Sequence, residues 1–362
     1  MEKILIVNPF GIGDVLFTTP VIDTIKQKYP ESRISYWCNE RVRDILKNNP
    51  QIDKVFAFSR GDLKKLYRRA PMEGIKRFLG LIIALRKEGF QAAFDFSLDH
   101  RYSMLLKLLG VKRRIGFNYK NRGRFLTDRI DIEGYTDRHA VEYYLDLLRL
   151  VNLVPGKMAL SLSVPQGNKI SMQIMLERYG IKEGDLIIGI APGAGGSWGA
   201  SAYFKQWPAI RFAQLADKLI SELNAKVVLL GDASESAITE AVNYSMKNKP
   251  VDLCGKTTLE ELIAVVSLLK LLITNDGGPL HIAVALGVNT ISIFGPVDET
   301  VYGPYPQSEM HRVFKKELDC RPCYKKFRVT DCDKERACIN SITVDEIFNA
   351  VPGLLSIKEV AS

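Results

Sequence analysis

Three glycine-bearing stretches of this sequence set reactive side chains beside exposed backbone amides. The first is Asn8-Pro9-Phe10-Gly11-Ile12-Gly13-Asp14, placed between an apolar run at 4–7 and a helically spaced segment at 15–28. Gly11 and Gly13 are expected to let the chain turn tightly and approach a ligand. The spacing is G-x-G-D, and Leu16 stands where a dinucleotide fingerprint needs its third glycine. Asp14, at the mouth of a helix, would be held ionised there, as a general base must be. The competing reading is a plain helix cap. The second stretch is Thr274-Asn275-Asp276-Gly277-Gly278-Pro279-Leu280-His281, where two glycines and a proline open a helix behind a strand. That order builds an anion site fit for a diphosphate, and His281 falls in the first turn. The third is Pro192-Gly193-Ala194-Gly195-Gly196-Ser197-Trp198-Gly199, followed by Phe204-Lys205-Gln206-Trp207-Pro208. Here Lys205, the Ser197 hydroxyl and the loop amides could neutralise phosphate.

The elements around these loops alternate. In the N-terminal half, strand-like runs at 4–7, 34–38, 55–58, 92–96 and 114–117 are separated by helical patterns at 15–28, 42–48, 103–109 and 139–151. A Pro- and Gly-punctuated stretch at 153–167 forms a hinge, and the alternation restarts at 186–191, 227–230, 251–253, 271–274 and 290–294. Alternation of this kind predicts parallel sheets covered by helices. The expected fold class is therefore α/β: two doubly wound Rossmann-like domains, 1–165 and 166–345, facing a cleft, with a tail at 346–362. Ligands belong at the carboxyl ends of the strands.

The chain has 362 residues, 46% hydrophobic and 25% charged, with a formal charge of +9. No apolar run approaches the roughly 20 residues of a membrane span, and the apolar N-terminus is too short for a signal peptide. The expected location is the cytoplasm. The positive charge gathers in the N-terminal half: nine Lys or Arg against three Asp or Glu between Arg60 and Glu88, and Lys112, Arg113, Arg114, Lys120, Arg122, Arg124 and Arg129 against Asp128 alone. Basic surface attracts phosphate-rich partners. Between 64 and 85 the basic residues alternate with Leu66, Ile75, Phe78, Leu79, Leu81 and Ile82. An amphipathic contact with an anionic membrane surface or a phosphorylated glycolipid follows as an expectation. No nucleic-acid recognition module appears, so nucleic acid is not an expected partner.

Taken together and in order, several segments resemble glycosyltransferase family 9, the ADP-heptose:lipopolysaccharide heptosyltransferases. They are Gly11-Ile12-Gly13-Asp14-Val15-Leu16 with Phe17-Thr18-Thr19-Pro20, the Trp198-Gly199 to Pro208 segment, and Asn275 to His281 followed by Gly295-Pro296-Val297-Asp298. Smaller echoes are Arg114-Ile115-Gly116-Phe117 and His139-Ala140-Val141-Glu142. The resemblance implies a GT-B fold, with acceptor on the N-terminal domain and nucleotide sugar on the C-terminal one. It implies an inverting transfer from an ADP-sugar donor to the lipopolysaccharide core or a lipid A-linked acceptor. Asp14 would be the base and Lys205 the group that meets the departing diphosphate. Gly13, Ser197, Asp276, Gly277, Gly278 and His281 would line the nucleotide-sugar site, and Glu235 would reach the ribose. No Asp-x-Asp pair is suitably placed for a catalytic metal, so no cofactor is expected for catalysis. A nucleotide-sugar epimerase or hydrolase of the same fold, or a non-catalytic binding protein, are the alternatives.

Cys320, Cys323, Cys332 and Cys338 form a C-x2-C-x8-C-x5-C cluster. In a reducing compartment this suggests a structural zinc or iron–sulfur site, with two disulfides as the alternative.

Overall fold

The apolar run at the N-terminus is a central strand. All five residues from Ile4 to Asn8 are fully buried in β1 (Lys3–Asn8), which is flanked by parallel neighbours on both edges. A strand covered on both faces reads as a continuous apolar run, not an alternating one. In the computed structural model, residues 2–156 and 159–357 are described, with the backbone alone at 60, 62, 197 and 200. The chain divides into two units, Met1–Leu160 and Ser161–Ser362.

In the first unit β2 (Arg33–Cys38), β3 (Lys54–Ala57), β4 (Ala92–Asp95), β5 (Arg113–Tyr119) and β6 (Asp128–Ile132) complete a six-stranded sheet of order β3-β2-β1-β4-β5-β6. Every pairing is parallel. On one face Leu5, Val7, Trp37 and Ala93 pack with Leu85, Phe90 and Leu106.

The second unit repeats the design. It holds β7 (Ile187–Ala191), β8 (Lys226–Leu229), β9 (Val251–Asp252), β10 (Leu271–Asn275), β11 (Asn289–Ile293) and β12 (His311–Phe314), in the order β12-β11-β10-β7-β8-β9 and again all parallel. Its core runs from Ile188, Ile190 and Ile273 through Trp207 and Phe212 to Ile339, Ile347, Val351 and Leu354. The stretch after 345, expected as a tail, thus contributes buried side chains to this core. The α/β, doubly wound expectation holds for both units.

Several elements escaped the sequence pattern. β6 (Asp-Arg-Ile-Asp-Ile) and β12 (His-Arg-Val-Phe) are edge strands whose charged residues interrupt the apolar run. The helix Gln166–Arg178, which follows the expected hinge at 153–167, buries only Met172 and Leu176 and so shows almost no apolar stripe.

In each sheet the connections leave in opposite directions from two neighbouring strands, β1 and β4 in the first, β7 and β10 in the second. The carboxyl ends of those pairs are the switch points where such sheets bind ligands.

Candidate functional site

All three chemistry-bearing loops emerge at switch points. The loop after β7 and the loop after β10 are neighbours, because β7 and β10 are paired from Leu271↔Ile188 to Thr274↔Ala191. Asn275 knits them together. Its amide nitrogen donates to the carbonyls of Pro192 (2.7 Å) and Gly193 (3.0 Å), and its oxygen accepts from the Trp207 N–H at 3.0 Å. Fully buried, it fixes the glycine-rich turn and the entry to the next helix in one frame. The sequence showed Asn275 inside a motif but gave it no role.

Lys205 and Asp276 meet in this frame. Their ion pair is 2.7 Å long, and each side chain is only 7% exposed. Lys205 Nζ also lies 4.5 Å from the centroid of the Trp198 ring. An ammonium has three donors, so Asp276 leaves capacity for a phosphate oxygen. Gly277 caps the helix Gly278–Ala285, whose first amides face the same end of the sheet. Neither glycine of this pair is left-handed, and Gly277 is fully extended (φ −178). A Cβ there would stand 3.4 Å from the Ala194 backbone, an ordinary contact, so neither the backbone conformation nor the space demands glycine at 277.

His281 is buried in the first turn, and its pKa is lowered to about 3, first by burial and then by the charge of Lys205. It is therefore a neutral imidazole at physiological pH, able to exchange a hydrogen bond but not to supply positive charge.

Glu235 sits under the glycine-rich loop after β7. Its carboxylate accepts from the N–H of Gly195 (2.8 Å) and of Asp232 (3.1 Å), bridging the loops after β7 and β8. A Cβ on Gly193 would come within 1.8 Å of Glu235 Oε1, so a larger residue would push the carboxylate off these two hydrogen bonds. Gly195 (φ 76) and Gly199 (φ 54) are left-handed, as this turn requires. The expected role of Ser197 concerns a side chain outside the described residues.

Asp14 and Gly13 belong to the first unit. Asp14 stands third in the short helix Ile12–Leu16, partly exposed, and Oδ2 accepts from the Gly11 N–H at 3.3 Å. The cap geometry is therefore real, and it orients a carboxylate that also faces solvent. Asn8, fully buried, donates to the Asp14 carbonyl (2.9 Å) and accepts from the Phe10 N–H (3.1 Å). The expected tight glycine turn is corrected here. Gly11 has φ −85, neither glycine is left-handed, and a Cβ on Gly11 would meet Asp14 Oδ2 at an ordinary 3.8 Å. Asn8 shapes this loop.

Across the switch point the loop after β4 carries residues the sequence reading missed. Asp95 lies opposite Val7 in register and accepts from the Ser97 N–H at 2.9 Å. Its pKa is raised to about 6, chiefly by burial. Leu98 is left-handed (φ 56) and Asp99 holds the Arg101 guanidinium at 2.6 Å. An Asp-x-Ser-x-Asp run after a strand was the available signal.

The structure does not support the structural zinc expectation. All six cysteines are free thiols, and among the described residues no three His, Cys, Asp or Glu could share a metal ion. Cys338 is spent on the apolar core, Cys323 donates to the Cys320 carbonyl at 2.9 Å, and Cys332 Sγ accepts from the Arg336 N–H. Arginines tie the segment down instead. Arg321 donates to the carbonyls of Gly295 and Val297 and pairs with Glu299 at 2.8 Å.

Part of the second basic stretch is likewise structural. Arg113 pairs with Asp128 at 3.1 Å, and Arg114 donates to the carbonyls of Phe125 and Val111.

Residues 79–333 match glycosyltransferase family 9 (heptosyltransferase). The chain belongs to this family, and it is a glycosyltransferase. It is 25% identical to lipopolysaccharide heptosyltransferase 3 of Escherichia coli K12 over 300 residues, covering 82% of this chain and 83% of that one. To lipooligosaccharide heptosyltransferase 2 of Campylobacter jejuni it is 25% identical over 355 residues, covering 98% of both. Among solved structures it resembles the family 9 glycosyl transferase of Veillonella parvula, with a TM-score of 0.79, 23% identity, and 98% and 97% of the two chains covered. E. coli ADP-heptose LPS heptosyltransferase II aligns with a TM-score of 0.76 at 22% identity over 98% of each chain. The GT-B fold expected from the sequence is the fold observed.

Proposed function

We propose that this family 9 glycosyltransferase moves a heptose from ADP-heptose to the inner core of a lipopolysaccharide acceptor, inverting the anomeric centre without a catalytic metal. The observation that carries this reading is the buried Lys205–Asp276 pair beside the amide-bearing helix start at the second switch point. In this reading 1–165 binds acceptor and 166–345 binds donor. The ADP diphosphate lies against the Gly277 and Gly278 amides, with one Lys205 proton on a phosphate oxygen. Asp276 orients sugar hydroxyls, His281 gives a neutral hydrogen bond, and Glu235 combines its loop contacts with the ribose. Asp14 removes the proton of the acceptor hydroxyl while that oxygen attacks the anomeric carbon. The bond from this carbon to the diphosphate oxygen breaks on the opposite face, and the electron pair departs with ADP. Preorganised amides, the helix dipole and Lys205 then meet charge where it develops.

The test is ADP release from ADP-heptose with extracted lipopolysaccharide core, for wild type and Asp14→Ala. The expected result is acceptor-dependent release that falls by about 10²–10⁴ in the variant while ADP-heptose still binds. Release indifferent to both acceptor and Asp14 would refute the transfer reading.

We further infer contact with the cytoplasmic membrane surface through the helices Arg60–Arg69 and Pro71–Glu88. No helix among the described residues is long and apolar enough to cross a membrane. The helix pair instead exposes Met72 (78%), Ile83 (67%), Tyr67 and Leu79 beside the exposed Lys64, Lys65, Arg68 and Arg69. Phe78 and Leu81 face inward onto the core. Basic and apolar groups side by side suit an anionic interface. Replacing the four basic residues with Gln should weaken binding to phosphatidylglycerol vesicles in low salt; unchanged binding would exclude this contact.

A further inference from the structure

The segment 320–338 grips the turn that carries Lys205 at two places. At the start of that turn Tyr324 packs its ring on Trp198, with centroids 4.8 Å apart, and Trp198 in turn faces the Lys205 ammonium. At its end, one guanidinium nitrogen of Arg336 donates to the carbonyls of Tyr203 (2.7 Å) and Gln206 (2.8 Å), the residues that bracket Lys205. The same guanidinium lies 3.7 Å from the centroid of the Tyr203 ring.

Arg336 is also held in place by its own surroundings. Its backbone is left-handed (φ 57), as is that of Glu335 (φ 48). For residues with a Cβ that conformation costs about 1–2 kcal/mol each. The turn persists because Asn340 donates to the Glu335 carbonyl at 2.7 Å and Cys332 Sγ accepts from the Arg336 N–H at 3.3 Å. Strain held this way marks a side chain that the surrounding structure aims. Here the aim is at main-chain carbonyls that would otherwise let the Lys205 turn shift. A displacement of about 1 Å at a catalytic group can cost roughly 100-fold in rate.

We propose that Arg336 is a positioning residue for transfer: it clamps the carbonyls on either side of Lys205 and so fixes the ammonium against the leaving diphosphate. The 320–338 segment is then a brace of the donor site. This rests on the reading of Lys205 given above.

The test is a double-mutant cycle on transfer from ADP-heptose, using Arg336→Ala and Lys205→Ala singly and together, with folding followed by circular dichroism. Arg336→Ala should lower kcat about 10-fold or more while the donor KM changes less than about threefold. In the Lys205→Ala background it should lower kcat no further, because the group it positions is gone. Arg336→Lys, which keeps a donor of the same charge, should recover part of kcat. If the Ala variant does not fold, the Lys variant carries the same cycle. Equal losses in both backgrounds would make Arg336 merely structural and overturn the proposal, as would a wild-type kcat in Arg336→Ala beside a collapsed Lys205→Ala. An unimpaired Lys205→Ala would instead remove the reading of Lys205 itself, and this proposal with it.

Discussion

At the first switch point, β1 and β4 end in carboxylates: Asp14, capped and partly exposed, and Asp95, buried, with its carboxyl pushed up to about 6. At the second, β7 and β10 end in a buried ammonium, a row of glycine amides and an imidazole kept neutral. The strand order is the same in both sheets. Topology therefore decides where ligands come, while the loop residues decide which half of a reaction each end can serve. One end can hold or take a proton, and the other can take up negative charge. That division suits transfer from a diphosphate donor to a hydroxyl acceptor.

The contrast can be broken most sharply at Lys205. Its removal leaves Asp276 buried without its cation, which costs about 3–5 kcal/mol in comparable pairs. Lys205→Ala should lower the unfolding free energy obtained from urea titration by that amount, and replacing Asp276 with Asn in the same chain should restore a good part of it. A midpoint unaffected by Lys205→Ala would mean that the pair is not closed in solution.

A smaller effect separates the two ends by pH. The Asp95 carboxyl has a folded pKa of about 6, above its ordinary 3.8. The folded state binds this proton more tightly, so the contribution of Asp95 to stability is lost as pH rises through about 6. Asp95→Asn should therefore be more stable than wild type at pH 8, by on the order of 2–3 kcal/mol, with the gap closing toward pH 4. His281 and His311 act the other way. Their folded pKa values, about 3 and about 4, lie below 6.5, so stability falls as pH drops from about 6.5 toward those values. Equal denaturation midpoints for wild type and Asp95→Asn at pH 8 and pH 4.5 would remove the asymmetry.

What could be read in the sequence was local. Asp14, Lys205, Asp276 and His281 were visible because each follows an apolar run and a glycine or proline within a few residues. The central strands were visible for the same reason, since burial on both faces leaves an unbroken apolar run. The partners that hold those residues were hidden because they come from far along the chain. Asn275 reaches back 83 residues to Pro192, and Arg336 reaches back 133 to Tyr203. A lone arginine beside a cysteine pattern carries no mark of the carbonyls it will meet. The cysteines show the opposite limit: their spacing fits a metal, yet the fold places Cys338 against the apolar core and gives Cys323 and Cys332 backbone partners, and no ligand set for a metal is assembled among the described residues. Spacing alone also could not separate Arg113 and Arg114, tied to Asp128 and to backbone carbonyls, from the exposed basic residues at 64–69.

The division of labour between the two switch points is tested most directly by calorimetric titration of ADP into the folded Asp14→Ala and Lys205→Ala proteins beside wild type. The expected result is wild-type affinity in Asp14→Ala and a loss of at least about 10-fold in Lys205→Ala, the weight of one charge-assisted hydrogen bond. Undiminished ADP binding by Lys205→Ala, or its loss in Asp14→Ala, would contradict the assignment of donor and base to opposite sheets.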